Sequence, residues 1–135
     1  MDCKDLMIGD WVNIHEPECK GHRIDSIDEL DGQVGADGEV YDECDIRPIP
    51  LTEEILVKNG FYRSPRWHYC EITTDDGFKI YIQLGCGGRI DYVRITKHNS
   101  DLMERDLDAT VIIHYVHELQ HMLRLCGIEK EIVID

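Results

Sequence analysis

The chain has 135 residues, 42% of them hydrophobic and 31% charged, with 28 acidic against 14 basic side chains and a formal net charge of −14. That length supports one domain or two very small ones with a real core, and the composition excludes wholesale disorder. No apolar run approaches the roughly 18 residues a membrane span needs, and so acidic a surface repels phosphate backbones, which excludes direct nucleic-acid binding from the expected functions.

The chain opens on Met1-Asp-Cys-Lys-Asp, which lacks a basic region followed by an apolar stretch, so a cytoplasmic protein is expected. In that compartment Cys3, Cys19, Cys44, Cys70, Cys86 and Cys126 are expected as thiols, and none forms a C-x-x-C pair. Gly9-Asp10 reads as a turn feeding a short strand to Ile14, followed by a loop to Gly21 and a second strand from His22 to Asp28. Asp31-Gly32 and Asp37-Gly38 are hairpin turn signals around Gln33-Val34, and Glu39 to Ile46 gives another strand. Nine carboxylates and no lysine or arginine lie between Arg23 and Arg47, which reads as a solvated acidic face or as a mimic of nucleic acid. Four short strands with tight turns predict a small SH3-like β-barrel over residues 1–50, because closing a sheet removes its exposed edges.

Arg47-Pro-Ile-Pro50 interrupts the pattern and marks the expected boundary between residues 1–50 and 51–135. Thr52 as N-cap, Glu53 and Glu54 in the first turn and Gly60 past the end predict a helix of about two turns. A three-strand antiparallel meander follows: Trp67 to Thr73, Phe78 to Leu84 and Arg89 to Thr96, with turns at Thr74–Gly77 and Gly85–Gly88. In its middle strand Phe78, Ile80, Ile82 and Leu84 share one face, so one side of the sheet is covered. A polar loop from Lys97 to Asp108 leads to Ala109–Ile113, which fits strand or helix start. From His114 the spacing of Val116, Leu119, Leu123 and Cys126 predicts an amphipathic helix stopped by Gly127, and Glu129 to Ile134 ends as an edge strand. The expected fold is therefore α+β: an SH3-like β-barrel, then a helix, a three-strand antiparallel meander and a covering C-terminal helix.

That helix carries His117-Glu-Leu-Gln-His121, a match to the zinc-hydrolase pattern H-E-x-x-H with Glu118 as base. At 100° per residue His114, His117 and His121 fall together on the side away from the leucines, as a surface stripe able to chelate a metal ion without catalysis. The third ligand of a hydrolase is missing: only Glu129 and Glu131 precede the terminal Asp135 downstream, and Gly127 does not fit the longer H-E-x-x-H-x-x-G-x-x-H pattern. No cofactor is expected. Elsewhere, Cys86 in Gly-Cys-Gly-Gly reads as a hairpin tip, and His68 and Cys70 share a strand face as a candidate Cys/His pair.

Three motifs in fixed order, Leu6-Met-Ile-Gly-Asp-Trp-Val, Pro48-Ile-Pro-Leu-Thr-Glu-Glu-Ile-Leu-Val-Lys-Asn-Gly-Phe61 and Tyr115-Val-His-Glu-Leu-Gln-His with Leu125-Cys-Gly, span most of the chain. They resemble a group of small uncharacterised proteins of gut Bacteroidales and their phages, whose members commonly read His-x-Leu-Gln-Asn where this chain has His117 to His121. The resemblance implies a phage or mobile-element accessory protein and no mechanism. The sequence thus predicts a non-enzymatic protein that binds another protein, with a zinc hydrolase and an acidic nucleic-acid-mimicking inhibitor as rivals.

Overall fold

A computed structural model of the protein describes residues 2, 5–14, 21–97 and 107–134. Cys3, Cys19 and most of the two loops expected at 16–21 and 97–108 lie outside the described residues. The chain is α+β, with two antiparallel five-stranded sheets and two α-helices. It divides into two compact units, Met1–Pro50 with Tyr115–Asp135, and Leu51–His114. The first unit holds 18 carboxylates against six lysines and arginines, the second ten against eight, so nearly all the net charge belongs to the first.

In the first unit the strands β1 (Trp11–Ile14), β2 (Gly21–Asp28), β3 (Gln33–Ala36), β4 (Glu39–Asp42) and β5 (Ile46–Pro48) pair in the order β4-β3-β2-β1-β5. The closed SH3-like barrel that the sequence suggests is not formed among the described residues, because β4 and β5 both remain edges. The segment expected as one strand from Glu39 to Ile46 is broken by a 3-10 turn at Glu43–Asp45, and the chain re-enters the sheet as β5 beside β1. Pro48 fits there opposite Val12 because an edge strand has one side with no ladder bond to supply. The Asp37-Gly38 turn behaves as its residues dictate: both have positive φ, 55° and 81°, the mirror-image turn whose twist matches a tight hairpin. Leu6, Val12, Ile14, Ile24, Val34, Ala36 and Ile46 form the core of this sheet, with Ile27 and Tyr41 packed against it.

The second unit begins with α1 (Glu53–Lys58), capped by the Thr52 hydroxyl accepting from Ile55 N at 3.3 Å and closed by Gly60 at φ 88°. Its strands β6 (Tyr62–Arg63), β7 (Tyr69–Thr73), β8 (Phe78–Leu84), β9 (Ile90–Lys97) and β10 (Leu107–Val111) pair in the order β10-β9-β8-β7-β6. The predicted meander is its middle, and the ambiguous Ala109–Val111 segment is strand. Phe78, Ile80, Ile82 and Leu84 are buried together with Cys70, Val93 and Ile95, while the other face carries a diagonal tyrosine ladder. Tyr69 and Tyr81 lie 4.7 Å apart between ring centres and Tyr81 and Tyr92 6.4 Å, cross-strand pairs that rigidify an open sheet face.

The last helix, α2 (Val116–Leu125), starts two residues later than its periodicity suggests and groups with the first unit, not with the meander it was expected to cover. Val116 N donates to Ile49 O at 2.9 Å, Pro50 bridges Tyr115, and α2 lies against β1. Gly127 at φ 75° ends the helix, and Ile128 N donates to Leu123 O at 2.8 Å, the left-handed stop expected of it. The tail beyond is not the edge strand expected; residues 129–134 are pinned instead by one buried amide. Gln120 Nε2 donates to Lys130 O at 3.1 Å and Gln120 Oε1 accepts from Ile132 N at 2.7 Å. No helix among the described residues is long and apolar enough to cross a membrane.

Candidate functional site

The chemistry in the first unit gathers where the turn before β1 meets α2. Gly9, at φ 94°, lets the chain fold so that Asp10 N donates to Met7 O at 3.0 Å while Gly9 N and Asp10 O bond Ile24 at 2.7 and 2.8 Å. Those bonds drive the Asp10 side chain inward, where it is 0% exposed. Three donors meet it there: Met7 N at 2.7 Å and His121 Nε2 at 2.7 Å on Oδ2, and Arg124 Nη1 at 3.4 Å on Oδ1. A buried carboxylate is tolerated only when its charge and lone pairs are met, and this one is met by a backbone N–H, an imidazole and a guanidinium. Because an ionised carboxylate only accepts, Nε2 is a protonated nitrogen of His121, and in the neutral ring Nδ1 keeps the lone pair.

The rest of the H-E-x-x-H match is also occupied. Glu118 Oε1 accepts from Tyr115 N at 3.1 Å and so caps the start of the helix, Leu119 is buried in the core, and Gln120 clamps the tail. His117 is 6% exposed, which corrects the surface stripe expected for His114, His117 and His121. Val116, His117, Leu119, Gln120, Met122 and Leu123 are all buried, and at 100° per residue they cover about 220° of the helix circumference, far wider than one stripe. His121 is half-buried, and His114 is exposed and precedes the helix in the other unit. The His117 ring stacks on Tyr115 at 5.9 Å and meets His121 edge-on at 5.5 Å, and its Nδ1 is buried with no hydrogen-bond partner. Asp5, Met7, Tyr115, His117, Glu118 and His121 line one cavity of about 660 Å3.

Burial holds the His117 imidazole below its ordinary pKa, an effect that the Asp10 carboxylate opposes without cancelling. The unfolded chain then binds the proton more readily than the folded one. The stability His117 contributes is complete above about pH 6.5 and is lost as pH falls below it, with a slope of at most about 1.4 kcal/mol per pH unit for one proton. Denaturant unfolding between pH 8 and 5 is expected to show that loss, and His117→Leu to flatten it; identical profiles would refute the assignment.

The second unit holds another cluster. A cavity of about 450 Å3 is lined by Glu53, Arg63, His68, Cys86 and Asp91. Leu84 N and Gln83 Nε2 both donate to His68 O, at 2.7 and 2.9 Å, which pins His68 beside the Gly85–Gly88 turn. His68 and Cys86 therefore share a cavity, whereas Cys70, the partner its strand position suggests, is fully buried with its thiol pushed up by burial. The cue in the sequence was antiparallel pairing, which brings the start of β7 to the end of β8. Alkylation with iodoacetamide followed by peptide mass spectrometry is expected to label Cys86 in the native protein and Cys70 only after unfolding. The one group of three metal-donor side chains within 4.8 Å of each other among the described residues is the exposed Asp42, Cys44 and Asp45.

No protein-family model, no curated protein and no solved structure matches this chain.

Proposed function

We propose that this chain is a non-enzymatic accessory protein that works by binding another protein. One observation carries the reading: within the H-E-x-x-H match, Glu118, Gln120 and His121 each hold part of the fold. A zinc hydrolase needs Glu118 available as a base and a third protein ligand, whereas Glu118 caps α2 and no third donor gathers at the histidines among the described residues. The phage and mobile-element resemblance fits an accessory role and adds no activity. The test uses Glu118→Gln, which keeps an oxygen for the cap but removes the base. Neither the wild-type protein nor this variant, each supplied with zinc, is expected to hydrolyse casein or a nitrophenyl ester. Turnover by the wild type that the variant loses would overturn the reading.

A second observation favours a basic partner. Of the nine carboxylates between Arg23 and Arg47, eight are exposed and Glu43 is half-buried, all in the stretch from β2 through the 3-10 turn after β4. A partner drawn by that field is held more weakly as salt rises. If it is a nucleic-acid-binding protein, duplex DNA competes for it; if DNA does not compete, the mimic reading fails while the accessory reading stands.

A further inference from the structure

We propose that His117 and His121 bind one divalent transition-metal ion of the zinc or nickel class at the α2 cavity, in a site without catalytic function. The first ground is the orphaned Nδ1 of His117, in a side chain more than nine-tenths buried. A buried polar nitrogen with no partner costs stability, and such atoms are rare unless a ligand, ion or water meets them. The second ground is the pairing of the rings. With Zn–N about 2.1 Å, two imidazoles on a tetrahedral ion put their ring centres about 5 Å apart. The two histidines, one helical turn apart, have centres separated by 5.5 Å.

Asp10 supplies the third ground. Metal-binding imidazoles characteristically give one nitrogen to a carboxylate, which orients the ring and raises the basicity of the other nitrogen. Asp10 Oδ2 holds Nε2 of His121 in that way, and leaves Nδ1 for the ion. Burial keeps His117 neutral near pH 7, so its lone pair is available without first losing a proton. The Asp5 carboxylate lines the same cavity and adds negative potential, leaving the remaining positions on the ion to water. Two imidazole nitrogens select copper, nickel or zinc over calcium or magnesium. Glu118 stays in the helix cap, so a bound ion gains no base beside it. The inference is therefore independent of whether the protein has an activity.

Calorimetric titration of the untagged, metal-free protein with zinc chloride is the test. One ion per chain is expected, with affinity falling as protons compete below about pH 6.5. His117→Asn and His121→Asn should each weaken binding by at least about tenfold, by analogy with the 10- to 100-fold cost of disturbing a metal site's supporting contacts. His114→Ala should leave it unchanged, since that residue precedes the helix. No heat beyond a buffer blank, or binding that survives both asparagine variants, overturns the site. Should those variants not fold, cobalt(II) added to the wild-type protein decides: visible absorption of imidazole-ligated tetrahedral cobalt is expected, and its absence is fatal to the proposal. Metal binding without hydrolysis leaves both readings standing, whereas zinc-dependent hydrolysis that Glu118→Gln abolishes would sink the non-enzymatic reading and the non-catalytic character of the site, but not the binding of the ion.

Discussion

Replacing Asp10 with alanine is expected to destabilise the first unit by about 3–5 kcal/mol, the cost of breaking a buried charge pair from one side. Asp10 is 0% exposed, while His121 and Arg124 keep 23% and 26% of their side-chain exposure, so the loss should fall toward the lower end. Removing the carboxylate strands Met7 N without its 2.7 Å acceptor, leaves the guanidinium of Arg124 facing a void, and frees the His121 ring. The effects of Asp10→Ala and His121→Ala should be strongly non-additive, because each removes the same bond. Urea unfolding of the two single variants and the double variant measures this. A cost for Asp10→Ala below about 1 kcal/mol would mean the ion pair is not formed in solution.

Leu119→Ala is expected to cost about 3–5 kcal/mol, the range for truncating a fully buried leucine whose surroundings cannot collapse. Leu119 is 0% exposed on α2, which lies against β1, and neighbouring positions are held by the Gln120 clamp and the Asp10 contact, so little relaxation is available. Because α2 belongs to the first unit, the loss should appear as weakened amide protection in β1 and β2, while β8 and β9 stay protected. Hydrogen exchange read by mass spectrometry distinguishes this from the sequence-based expectation that the helix covers the meander. Loosening confined to β8 and β9 would restore that expectation.

Much of the secondary structure was legible without coordinates because it is decided by near neighbours. Thr52 and Gly60 bracket α1 through bonds spanning three to five residues, the alternation of Phe78 to Leu84 marks a half-covered strand, and Asp37-Gly38 admits the positive φ that a tight hairpin needs. His117 was misread because periodicity identifies one apolar stripe and is silent about what covers the opposite flank. Only tertiary structure brings Asp10 against His121, 111 residues away, and folds the tail back so that Ile132 reaches Gln120. The assignment of α2 to the first sheet has the same origin: its anchors, Ile49 and Asp10, precede the whole meander in the chain. Local propensity by itself determined where most helices, turns and strands lie, but not the 3-10 break at Glu43–Asp45 or the coil of the tail. The surroundings of H-E-L-Q-H were decided by long-range burial, which puts Glu118 in a cap, Gln120 in a clamp and His121 on the buried Asp10, since most polar side chains taken from water find a partner where the fold provides one.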